Sequence, residues 1–180
     1  MYAWIKKRRY KQKVASDIYK LIVDQARIKD FYLTYGVPDT ELGRFEMICL
    51  HCYLIFKRFS KENNEASELS QKVHDLMFAD FDQTLREKGI GDMGIGKRIK
   101  SLARNLYGRI DAYETGYLTG TNGLYDALTR NLYASVSVTD KEVYKMVGYI
   151  NNSINHLFDQ DTEKLLLGEI NFISIGKVAD

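Results

Sequence analysis

The chain has 180 residues, 45% of them hydrophobic, which is enough to bury one substantial core and points to a single domain. Two cysteines exclude a disulfide framework and fit a reducing compartment, cytoplasmic or matrix-like, and no run of about 18 apolar residues exists to span a bilayer. The net charge of +2 conceals an asymmetry: residues 1–13 carry Lys6, Lys7, Arg8, Arg9, Lys11 and Lys13 with no acid, so the remainder is net acidic.

The first residues read as a basic arm, with Tyr2, Trp4 and Ile5 ahead of the cations. Such an arm suits anionic lipid, a ribosome or RNA, or is simply the solvated start of a helix. No apolar stretch follows the charges, so a secretory signal peptide is not expected. The spacing of Ile18, Leu21, Ile22 and Ala26 predicts a first helix from a Ser16 cap to Lys29.

Gly36, Val37 and Pro38 then break the chain. A second helix is predicted from an Asp39 cap to about Ser60, with Leu42, Phe45, Ile48, Cys49, Cys52, Ile55, Phe56 and Phe59 on one broad apolar face. A face so wide expects neighbours on more than one side. Lys61 to Ser67 reads as a loop, after which Leu69, Val73, Leu76, Met77, Phe81 and Leu85 define a third helix ending at Gly89.

Asp92 is the expected cap of a fourth helix, whose row Ile95, Ile99, Leu102, Leu106, Ile110, Tyr113 and Tyr117 is the cleanest periodic signal in the chain. Gly116, Gly120 and Gly123 are expected to loosen the next connection. A fifth helix follows from Thr121 to Ala134, with Leu124, Leu128 and Leu132 inside. Thr139 and Glu142 form a capping box for a sixth, with Val143, Met146, Val147, Ile150, Ile154 and Leu157 as its buried row. A short helix at Leu165 to Leu167 closes the fold before a tail from Phe172. The expected class is all-α: a single-domain bundle of six to seven helices around a glycine-linked helical hairpin.

Fragments that imitate catalytic motifs fail on context. Gly91 to Lys97 satisfies a phosphate-loop spacing, but a helix precedes it where a strand is needed, and Arg98 stands where a Ser or Thr would hold magnesium. Cys49 and Cys52 flank His51 well inside a helix, away from the N-terminal dipole that activates redox thiols, and read as small buried hydrophobes. A di-iron bundle needs Glu three residues before its histidines, where this chain has Ile48, Gln71 and Ser153. Neither a cofactor nor catalysis is expected.

The segment Leu69 to Tyr113 resembles the ubiquinol–cytochrome c chaperone family. The signature stands here as Leu69, Ser70, Gln71; Phe78, Asp80, Asp82; Leu85, Arg86, Glu87, Gly89, Gly91, Asp92; Gly96, Lys97; and Tyr107, Gly108, Arg109, Ala112, Tyr113, with a weaker match around Phe45, His51 and Lys57 to Phe59. The resemblance implies an assembly factor of the bc1 complex that holds newly made cytochrome b or another apolar membrane client, with a small helper subunit as a further partner. The expected location is cytoplasmic, with a peripheral position on the inner membrane as the option the basic arm leaves open.

On this reading the chain divides into an arm over residues 1–15 and a helical chaperone domain over 16–180. Phe45, His51, Phe56, Phe78, Phe81, Tyr107 and Tyr113 are the expected client-binding residues, lining a groove beside the second helix. Asp80, Asp82, Arg86, Glu87, Asp92, Lys97 and Arg109 form the expected polar cluster that shapes it, since buried charges persist only when paired. Asp75, Asp82 and Glu87 are expected to meet Lys97, Lys100 and Arg104 across the hairpin. Trp4, Lys6, Lys7, Arg8 and Arg9 form the membrane or ribosome arm. Two rival classes use the same features: a peripheral lipid-binding protein, and an RNA or ribosome binder.

Overall fold

The computed structural model describes residues 2–175, with side chains from residue 5 onward. It contains eight α-helices and, among the described residues, no strand: α1 (Tyr2–Ala26), α2 (Lys29–Thr34), α3 (Glu41–Phe59), α4 (Asn64–Glu87), α5 (Asp92–Thr119), α6 (Thr121–Arg130), α7 (Asp140–Phe158) and α8 (Thr162–Leu166). The single all-helical bundle read from the sequence is the observed one, with α2 as an added element.

The basic segment is not separate from the first helix. α1 starts at Tyr2, so the 15/16 boundary falls inside it and Ser16 is an exposed mid-helix residue with no capping role. α1 ends at Ala26, and Lys29 opens the short α2, which exists because Phe31 turns fully into the core. Thr40, not Asp39, caps α3 by accepting from the Gly43 N–H, while Asp39 pairs with Arg44 at 2.8 Å. Asn63 caps α4 through the Glu65 and Ala66 amides, so part of the expected loop is helix. The Thr139–Glu142 capping box of α7 forms as expected.

α3 lies at the centre, packed on α1, α4, α5 and α7. α1 runs parallel to α4, with Lys11 beside Glu68 and Tyr19 donating to Asp80 further along. α5 runs back antiparallel to α4 after a tight hairpin. There Gly89 takes φ +76° while the Ile90 N–H reaches Leu85 O and the Gly89 N–H reaches Arg86 O, the pattern of a Schellman stop. Asp92 is the first residue of α5; Gly91 occupies the cap position, and the Asp92 carboxylate pairs with Arg86 at 2.7 Å.

Gly116 and Gly123 tighten the α5–α6 corner instead of loosening it. A Cβ on Gly116 would stand 2.7 Å from Gly123 O, so the two helices cross at a distance that only glycine permits. The far end is tied by Arg58, 3% exposed, which donates to Leu157 O at 2.8 Å and Thr162 Oγ1 at 2.9 Å and so caps the end of α7 from α3. The tail packs back on the core: the Phe172 ring meets His51 edge-on at 5.4 Å, and Gln25 donates to Ile173 O.

Candidate functional site

The wide apolar face of α3 is consumed by its neighbours, and this changes the expected groove. His51 and Tyr113, both expected at the client surface, are 0% exposed. The His51 Nδ1–H donates to Met47 O, and its Nε2 accepts from the Tyr149 hydroxyl at 2.8 Å, so both ring nitrogens are satisfied within the core. Burial holds its pKa down at about 4, keeping the ring neutral. Tyr113 lies against Tyr53 at 5.8 Å, and burial drives its phenol pKa well up. Neither side chain can meet a partner without opening the bundle.

The other five rings stay at or near the surface. Phe45, Phe56, Phe78 and Phe81 are partly buried against the core, and Tyr107 is 56% exposed. Four of them form a continuous row with His74. Phe45 meets Phe81 at 5.6 Å, Phe81 meets Phe78 at 5.9 Å, Phe78 meets His74 at 4.7 Å, and His74 stacks on Tyr107 at 5.7 Å. The Tyr107 hydroxyl and His74 Nε2 stand 2.9 Å apart and join α4 to α5. Helical spacing builds the row, since His74, Phe78, Phe81 and Leu85 share one stripe of α4 beside the buried stripe Leu69, Val73 and Met77. Phe56 stands apart from it. His74 is the member that the sequence reading missed, although its i, i+4 spacing to Phe78 was the available signal.

The expected polar cluster separates into four independent contacts. Asp80 accepts from Tyr19 at 2.8 Å, and burial together with that carboxylate raises the Tyr19 pKa. Arg86 bridges Asp82 and Asp92 on the exposed hairpin, and the pairing raises its own pKa. Glu87 accepts from Gln83 one turn earlier, and Lys97 has no ion pair among the described residues. Arg109 alone makes a buried pair, its Nε lying 2.9 and 2.8 Å from the two carboxylate oxygens of Glu46 and its Nη2 adding a further bond. Glu46 is 1% exposed on the side of α3 that faces α5, and it was not among the expected partners. Glu87 and Asp82 find partners one turn away on α4, while Asp80 and Arg109 face different neighbours, α1 and α3, and so the cluster disperses.

The cysteines behave as small hydrophobes. Both are free and buried; the Cys52 thiol, pushed up to about 12 by burial, sits 3.6 Å from Met77 Sδ. No group of His, Cys, Asp or Glu suited to a metal occurs among the described residues. No helix of the described residues is long and apolar enough to cross a membrane. On the arm, Lys6, Lys7, Arg8 and Arg9 are exposed along α1, while the Trp4 side chain lies outside the described residues.

Known proteins are similar to this chain in sequence and in fold. Ubiquinol-cytochrome c reductase complex assembly factor 1 of Mus musculus is 25% identical over 168 residues, and that of Homo sapiens is 25% identical over 170. These alignments take in 92% and 93% of this chain but 57% of each relative, so the chain spans a little over half their length. The crystal structure of the Cbp3 homolog from Brucella abortus superposes with a TM-score of 0.86 at 35% identity, covering 99% of this chain and all of that one. The family model for the ubiquinol-cytochrome C chaperone matches residues 33–172, from the end of α2 to the tail, and the chain belongs to that family.

Proposed function

We propose that this chain serves assembly of the bc1 complex as a holding chaperone, keeping an apolar segment of newly made cytochrome b shielded until it is inserted. The observation that carries the reading is the row Phe45, Phe81, Phe78, His74 and Tyr107, which runs across α3, α4 and α5 and ends in a ring more than half exposed. An apolar helix laid along such a row loses water from both partners, and each 100 Å² of apolar surface covered contributes about 2.5 kcal/mol. The Tyr107 hydroxyl, which makes one hydrogen bond to His74, can make a second to a client backbone or side chain at the end of the row. The work is binding and release; no group in the row is arranged for bond making.

The test is capture of a synthetic cytochrome b transmembrane segment by the purified chain, followed by crosslinking. Tyr107→Asp and Phe78→Asp are expected to abolish capture while the far-UV spectrum stays helical, because Tyr107 is exposed and Phe78 only partly buried. Undiminished capture by both folded variants would move the client surface elsewhere.

A further inference from the structure

We propose that the first turns of α1 and the end of α8 form one amphipathic surface that docks on an anionic lipid bilayer. Its apolar centre is a cleft of about 280 Å³ between α1, α4 and α8, lined by Tyr10, Val14, Leu69, Leu166 and Leu167. Val14 and Leu69 are its buried floor, 4% exposed each, while Tyr10 at 50% and Leu167 at 51% stand on the two sides. Water gains nothing from these two side chains, and no other part of the described fold covers them. An interface that accepts a phenol ring and a leucine does.

The rim supplies the charge. On α1, Tyr10 has Lys6 and Lys7 at i−4 and i−3 and Lys13 at i+3, so the ring is set among cations. Lys11 reaches Glu65 at 3.2 Å and Glu68 at 2.6 Å; Glu65 and Glu163 are the two carboxylates on the cleft itself, so the cations that meet lipid are those of α1 around Tyr10. Lys7, Arg8 and Lys72 continue the basic surface around the same helix end in an adjoining cleft, where Glu68 is the one acid and stands between Lys11 and Lys72. Six cations in residues 5–13 without an acid are what an anionic surface attracts. Phosphates of RNA would use the same charges, but they have no use for Leu167 across the cleft, and that residue decides for lipid. This surface stands at the start of α4, where His74 is the nearest member of the ring row along that helix, and it does not depend on the client reading.

The experiment is co-sedimentation of the full chain with vesicles of phosphatidylcholine containing one quarter phosphatidylglycerol, against pure phosphatidylcholine. Binding is expected to the anionic vesicles only, and to weaken as salt shortens the Debye length. Leu167→Asp and Tyr10→Asp, both at exposed positions, are each expected to weaken it by about tenfold with an unchanged melting temperature. The combined change Lys6→Ala, Lys7→Ala and Lys13→Ala is expected to weaken it by about a hundredfold. Should the two Asp variants bind like the parent while the lysine variant does not, the contact is one of charge alone and the amphipathic surface is wrong. Binding to a homopolymeric RNA, with none to anionic vesicles, would assign the arm to nucleic acid and equally overturn it. Capture of the transmembrane segment should be unaffected by Leu167→Asp, so failure of either proposal leaves the other standing.

Discussion

α3 and α5 are both long amphipathic helices, yet 13 of the 19 residues of α3 are buried and only four of the 28 in α5. The difference is one of neighbours. α3 is enclosed by α1, α4, α5 and α7, so its broad apolar face is spent on the core, down to a histidine and a glutamate carried in with it. α5 has α4 and α3 along one side and α6 at its end, and its outer side keeps Met93 at 90% and Tyr107 at 56% exposure. An apolar face reports how many partners a helix has, while the surface available to a client is what remains on the helix with fewer.

The buried ion pair that joins the two helices should show the largest effect. Arg109→Ala leaves the Glu46 carboxylate, 1% exposed, without its partner, and a loss of about 3–5 kcal/mol is expected in urea unfolding. A loss near that of a surface pair, about 1 kcal/mol or less, would mean that α5 is not anchored to α3 in this way. Replacing both residues by apolar side chains of similar volume should recover most of the loss, because no charge is then left stranded.

His51 gives a somewhat smaller effect with a definite pH window. Its folded pKa, about 4, lies below the ordinary value of 6.5, so the unfolded chain binds a proton between those values that the folded chain refuses. Stability is therefore complete above about pH 6.5, falls as the pH drops toward about 4 and levels off below it, the total amounting to about 3 kcal/mol. His51→Gln should flatten that part of the profile. Were the parent profile flat, the ring would have water or a partner carboxylate near it, and the enclosed character of α3 would be wrong. Cys52→Ala should cost only about 1 kcal/mol, through lost contact with Met77, and should leave metal content unchanged.

How much of this was legible follows the same division. The rows of α7 and the capping box at Thr139 read directly, because 3.6-residue periodicity and a local side-chain bond are both written in the chain itself. α2 was hidden because six residues are too few to show a period, and its reason for existing, Phe31, is a tertiary one. Asp39 and Asp92 read as caps by residue type, yet each stands beside an arginine that takes its carboxylate instead. At the site, the rings were legible as residues but not as a row, since the link from Phe78 to Tyr107 passes through His74 across two helices. The absorption of His51 and Tyr113 into the core depended on how many helices surround α3, which no local pattern states.

The smallest expected effect is on the other side of the comparison, at the outer stripe Lys97, Lys100 and Arg104 of α5. These cations were expected to hold the hairpin by meeting Asp75, Asp82 and Glu87 of α4. Each of those acids is instead engaged within its own helix: Asp75 accepts from Gln71 at 2.8 Å, Asp82 from Arg86 at 2.6 Å and Glu87 from Gln83 at 2.8 Å. Spacing at i, i+3 and i+7 sets the three cations along one side of α5, and Lys97, Lys100 and Arg104 are all exposed there. Changing all three to Ala should therefore leave the melting temperature where it is, with helical content equal or slightly higher because Ala is the better helix former. A clear drop in melting temperature would show that the stripe helps to hold the hairpin after all, and the outer side of α5 would then belong with α3 as part of the fold.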